Sequence, residues 1–175
     1  MNYASVVDML QYGSHELAQR SVNVDEQMAD HDLLRNYILG SLEGIDDANL
    51  ELCIKSFGVV VSSLGESSRE VDYWLARITT TPLKSAVPLV IRDITCRIAR
   101  YRLARYETGD KAESRVYRDY CLSIDMLKDL AEGKAKLPEL ENQAVTNDEN
   151  KSERYAVIAP DAVFNSPTFN NWGWR

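Results

Sequence analysis

The feature that most constrains this chain is the spacing of its apolar residues between positions 48 and 78. Leu50, Ile54, Phe57, Val61, Leu64, Val71 and Leu75 recur at steps of three, four and seven. That period places them along one face of a helix. Asp46 or Asp47 stands where an N-cap belongs. Read without interruption, residues 48–78 predict a helix about 45 Å long, at about 1.5 Å per residue. Gly58 and Gly65 oppose it, because a glycine inside a helix costs about 1 kcal/mol relative to alanine. A break near Gly65-Glu66-Ser67-Ser68 is the alternative. Thr79-Thr80-Thr81-Pro82 ends the element, since β-branched residues before proline favour extended backbone.

Further helices flank this one. Pro88 suits a first turn, and residues 88–106 carry two apolar sides. Ile91, Ile94, Ile98 and Tyr101 form one; Leu89, Cys96, Ala99, Leu103 and Tyr106 form the other. A helix buried on both sides is central in a bundle or shared with a neighbouring subunit, so these residues are candidates for core or lateral subunit contacts. Residues 111–132 predict another helix, with Tyr117, Tyr120, Ile124, Leu127 and Ala131 on one face and Gly133 as C-cap. Ser5 and Asp8 mark a short helix over 6–12, stopped at Gly13, and a second covers 14–20. A helix ending near Gly40 fits the region 21–44. The expected fold is all-α, a small bundle of about four to five helices with an extended C-terminal tail.

The organisation follows. Residues 1–137 form the helical domain. Residues 138–154 are polar and aperiodic, as in a linker. Residues 155–175 form a tail rich in aromatics and turn formers. Within it Tyr155, Phe164, Phe169, Trp172, Trp174 and Arg175 are candidate docking residues, because exposed apolar groups at a chain end invite aggregation unless they bind something. A linker of about 15 residues spans several tens of ångströms at about 3.3 Å per residue.

Charge narrows the function. The net charge is −7, and residues 1–50 hold all of it, with nine acids against two bases. Among those acids Asp25, Glu26, Asp30 and Asp32 are candidates for a surface that repels phosphates. Such a chain is a poor wrapper of nucleic acid. Arg92, Arg97, Arg100, Arg102 and Arg105 suggest a basic helix, but at 100° per residue they scatter around the axis. They are expected to pair with acids on adjoining helices or subunits. Arg105 falls on the Ile91 side, where a buried or interfacial partner is expected.

The chemistry of an enzyme is not visible. His15 and His31 lie beside acids, but a spacing of 16 fits no familiar metal site. Cys53, Cys96 and Cys121 have no redox or ligand spacing and are expected as reduced, packed thiols. No phosphate loop is present. No signal peptide is visible, and no apolar run approaches the roughly 20 residues needed to span a bilayer. No catalytic residue, cofactor or membrane contact is expected.

The order of motifs resembles the phage Mu gp36-like family, small proteins encoded beside head genes in Mu-like phages and prophages. The resemblance runs through residues 1–137. It comprises Tyr3-Ala4, Asp8-Met9-Leu10 and Tyr12-Gly13; Ile45-Asp46-Asp47; the stretch from Ser68 to Arg77 with Val71-Asp72-Tyr73-Trp74-Leu75; Pro82-Leu83 and Val87-Pro88; Asp93-Ile94 and Ile98 to Leu103; and Leu127 to Lys134. Val163-Phe164 fits the family's tail. Extra residues around Phe57–Gly65 and the ending Asn171-Trp172-Gly173-Trp174-Arg175 depart from the pattern.

The resemblance implies a head–tail connector, or adaptor, in the neck of the virion, made in the host cytoplasm. Such proteins form a homo-oligomeric ring beneath the portal protein, of about twelve copies in closed cyclic symmetry. A stopper or tail-completion protein lies below, and genomic DNA passes without specific binding. The aromatic tail would dock on the portal or a neighbouring subunit. The rival reading is a helical regulatory or nucleic-acid-binding protein, which requires a basic face.

Overall fold

The computed structural model describes residues 2–22, 27–83, 87–104 and 114–141. Those residues are helical wherever they are regular, without strands. In order they form α1 (Val6–Met9), a 3₁₀ turn (Leu10–Tyr12), α2 (Ser14–Arg20), α3 (His31–Ile38), α4 (Asp47–Leu75), α5 (Leu89–Leu103), α6 (Arg115–Ala131) and α7 (Pro138–Glu141).

α4 runs unbroken for 29 residues. Asp46 caps it, accepting from the Asn49 amide at 2.8 Å. The break near Gly65 does not occur, because Leu64, Ser67 and Ser68 around it are fully buried. Packing there outweighs the weak intrinsic preference of one glycine. The buried stripe of α4 is Cys53, Ser56, Val60, Ser63, Leu64, Ser67, Ser68, Val71 and Leu75. Its serines are small enough to bring neighbouring segments close, and hydrogen bonding offsets the burial of Ser63, Ser67 and Ser68, whereas the buried Ser56 hydroxyl has no partner among the described residues. Ser67 and Ser68 donate back to the carbonyls of Ser63 and Leu64 at 2.7 and 2.9 Å. Ser63 donates across to the Ala99 carbonyl of α5 at 3.0 Å.

α5 is the central element, and Pro88 is its N-cap rather than a first-turn residue. The two apolar sides read from sequence belong to two different cores within one chain. Cys96, Ala99 and Leu103 join Met9, Leu17, Leu34, Val60 and Leu64 in the first. Ile91, Ile94 and Ile98 join Val71, Leu75, Leu83, Leu127 and Leu130 in the second. Leu89 departs from its expected side: at the helix start it is 75% exposed.

Helix ends follow local chemistry. Ser5 and Asp8 form a reciprocal capping box at α1. Gly40 and Gly133, at φ 85° and 73°, end α3 and α6. Behind each, the next amide reaches back to Asn36 and Asp129, both at 2.8 Å. That pattern requires a left-handed residue, which glycine adopts without penalty. The helical domain also extends beyond 137. Pro138–Glu141, expected to open the linker, forms one helical turn because Leu140 finds a place in the second core, 4% exposed.

Candidate interaction surfaces

The arginines of α5 decide whether this protein offers a basic face. Four of the five lie within the described residues, and each has an acidic partner. Arg92 approaches Asp8 at 3.8 Å. Arg97 pairs with Asp93 one turn away, at 2.6 Å. Arg102 reaches Glu66 and Glu70 on α4 at 2.8 and 2.7 Å.

Arg100 is the most enclosed, with its side chain 14% exposed. Its Nε and Nη2 donate to the two carboxylate oxygens of Glu16, the latter at 2.7 Å. Nη1 lies 3.4 Å from Asp119, and the guanidinium sits 4.6 Å from the Tyr12 ring centroid. One side chain thus joins α2, α5, α6 and the 3₁₀ turn. The hydrogen bond that Arg100 donates to Glu16 holds its guanidinium still more firmly in the charged form. Arg92, Arg100 and Arg102 tie α5 to other elements, whereas Arg97 departs from the expected pairing with adjoining helices and bridges within α5; Arg105 and Tyr106 lie outside the described residues.

Tyr101 is half-buried in an aromatic cluster between α5 and α6. Its ring stacks on Tyr120 at 4.2 Å and tilts against Tyr117 at 5.8 Å. Tyr120 donates to Glu70 at 3.2 Å. Burial, aided by Glu70, pushes its phenol up to about 12. The aromatic face predicted on α6 is therefore the seam between α5 and α6.

The acidic first third also has structural duties. Glu16 holds Arg100. Asp30 caps α3, accepting from the amides of Asp32 and Leu33 at 2.9 and 3.0 Å. The bond from Leu33 is the largest influence holding its carboxyl below the usual range. Asp32 is exposed and lies 3.1 Å from His31. Asp25 and Glu26 lie outside the described residues, as do Tyr155, Phe164, Phe169, Trp172, Trp174 and Arg175.

His15 and His31 meet face to face, with centroids 5.5 Å apart and planes 6° from parallel. Sequence reasoning missed this contact, because only the packing of α2 on α3 cancels a separation of 16 residues. Among the described residues no group of three or more His, Cys, Asp or Glu is arranged to hold a metal ion. Cys53 and Cys96 are buried free thiols and Cys121 is partly buried. Burial raises the Cys96 thiol to about 12, which keeps it protonated and unreactive.

What remains on the outside is apolar in places. Ile54 on α4, and Leu122 and Met126 on α6, are 50%, 57% and 42% exposed. Tyr73 near the end of α4 is also exposed, beside Trp74, with Arg77 over both rings at 5.8 and 5.3 Å. Among the described residues no helix is long and apolar enough to cross a membrane.

Comparison with curated proteins gave no match. The family described as Bacteriophage Mu, Gp36 matches residues 3–155, which takes in every helix described above. With most of its length covered, the chain belongs to this phage family.

Proposed function

We propose that this protein is a structural head–tail connector, or adaptor, of a tailed phage. Copies pack side by side into a closed ring beneath the portal, and genomic DNA passes through it. Family membership supports the phage setting. The observation that carries the reading is the pairing of Arg92, Arg97, Arg100 and Arg102 with acids of their own chain. Those pairs leave α5 without the basic stripe that gripping a DNA backbone requires. A channel lining must let DNA slide, and Asp30 and Asp32, with Asp25 and Glu26, are assigned to a rim that repels phosphates.

The tail, residues 155–175, completes the proposal. Burying one aromatic side chain is worth about 1.5–3 kcal/mol. Ordering backbone costs about 1–2 kcal/mol per residue, so Phe164, Phe169, Trp172 and Trp174 need accompanying polar contacts. The portal is the assigned receiver, with a neighbouring subunit next and the stopper or tail-completion protein below.

Electron microscopy of the purified protein and of particles tests the reading. A multi-copy ring at the neck, stained by antibodies against this chain, is the expected result; particles carrying none of the chain would overturn it. Deleting residues 155–175 should leave a helical protein that no longer joins particles, and normal incorporation removes the tail from the mechanism. Tight duplex binding with a steep salt dependence in a gel shift would favour the nucleic-acid reading instead.

A further inference from the structure

We propose that one face of α4 and one face of α6 are the complementary halves of a head-to-tail contact between copies of this chain. The proposal rests on the ring reading above and names the surfaces that would build such a ring.

The α4 half lies on an overhang. α4 has 29 residues and α5 has 15. Ser63, sixteen residues into α4, meets Ala99, four residues before the last of α5. Val71 and Leu75 share a core with Ile91 and Ile94, so the two helices run antiparallel. About a dozen residues at the start of α4, some 18 Å, therefore project past α5. α3 packs on one side of this overhang, where Tyr37 meets the edge of Phe57 at 5.6 Å. The outward side carries Glu51, Ile54 and Gly58, all exposed.

Gly58 is the informative residue. Gly40 and Gly133 need their positive φ, and a Cβ at Gly65 would meet Asn2 at 3.4 Å. Gly58 has neither reason: it has no positive φ, and nothing lies within 4 Å of where its Cβ would stand. A glycine in a helix interior is less stable than alanine there. What it offers is close approach from outside, and no described residue of this chain makes that approach.

α6 presents a matching face. Ile54 and Gly58 are four residues apart, as are Leu122 and Met126, so each pair spans one turn of one face. Laid alongside in parallel, Ile54 meets Leu122 and the unbranched Met126 lies over Gly58. Toward the start of each helix stands a charge of opposite sign. In that register the exposed Asp47 at the start of α4 stands opposite Arg115, 84% exposed, at the start of α6, while Glu51 falls opposite Asp119, which is already engaged by Arg100. Glu51 keeps Lys55 at 2.9 Å and Arg115 keeps Asp119 at 4.0 Å, so the facing of Asp47 and Arg115 sets orientation. The two faces are different surfaces of one chain. The contact is therefore heterologous, every copy keeps one face free, and the series closes into a ring or extends as a filament.

The test uses the full chain. Gly58→Leu blocks the α4 face and Leu122→Asp blocks the α6 face, both at exposed positions. Light scattering at high protein concentration should show higher oligomers for the unaltered chain and monomers for each variant, with unchanged helical circular dichroism. An equal mixture of the two variants should form dimers and nothing larger, because each supplies the half the other lacks. Variants that still assemble like the unaltered chain overturn the choice of faces and leave the ring reading standing. An unaltered chain that stays monomeric overturns the contact, whereas the ring reading itself is judged on particles. A fall in melting temperature beyond about 5 °C in either variant marks a face covered by the chain's own residues, such as 142–175, and also overturns it.

Discussion

Replacing Arg100 with alanine removes the group that joins four segments, and the size of the loss follows from its surroundings. Breaking a fully buried ion pair costs about 3–5 kcal/mol, because the remaining charge has no partner. A fully exposed pair is worth about 0–1 kcal/mol. Arg100, Glu16 and Asp119 lie between these limits, with side chains 14%, 21% and 27% exposed. Glu16 keeps Arg20 at 3.4 Å, and water reaches Asp119, so part of the penalty is relieved. The Tyr12 ring also loses a cation over its face, worth about 0.5–1 kcal/mol. The expected cost is about 2–3 kcal/mol. For a chain of this size that lowers the melting temperature by about 5–10 °C. Urea unfolding followed by circular dichroism measures it, and the cycle with Glu16→Ala should show coupling of about 1–2 kcal/mol. Arg100→Lys should recover part of the loss, since an ammonium keeps the charge but not the two-pronged geometry. A loss under about 0.5 kcal/mol, within the range of an ordinary surface substitution, would refute the reasoning. It would also return Arg100 to the pool of residues available to a nucleic acid.

Two glycines should respond in opposite directions. Gly58→Ala should stabilise by about 0.5–1 kcal/mol, since the helix accepts a Cβ there, whereas Gly133→Ala, at φ 73°, should destabilise by about 1 kcal/mol; paired thermal melts distinguish them. Alkaline titration should weaken the fold. Burial is the leading cause that raises Tyr12 and Tyr120 to about 12, against an ordinary value of 10. The folded state therefore keeps protons that the unfolded state releases. Stability is fully present below pH 10 and declines from there toward pH 12. A flat stability profile across that window, with tyrosine ionisation followed by ultraviolet absorbance, would contradict the assignment.

Much of the fold was legible because its signals are local. Ser5, Asp46, Gly40 and Gly133 act within one or two turns of themselves, and they marked helix ends that the structure keeps. The helix of α4 was legible too, although Gly65 argued for a break that burial of its neighbours overrides; its inner face was legible only from Leu64 on, because small residues (Cys53, Ser56, Ser63) take the buried positions and Ile54, counted on the apolar face, is exposed. The two apolar sides of α5 were visible, but period alone cannot say whether a second side meets the same chain or another one. That depends on where α1, α2 and α6 return, a long-range outcome. The same limit hid the stacking of His15 on His31 and the link from Arg100 to Glu16. Leu140 was missed because one apolar residue in an acidic stretch leaves no period to read, and only the core it enters explains it.

The position of α5 in both cores bears on how the helical body opens. A helix buried in one core can unfold while the rest persists. α5 gives Cys96, Ala99 and Leu103 to one core and Ile91, Ile94 and Ile98 to the other, so its release removes a wall from both at once. Amide exchange on α5 and on the middle of α4 should therefore proceed only through global unfolding, with one common free energy of opening and no sub-global opening of either core. The amides of α7, at the margin of the second core, should exchange far sooner.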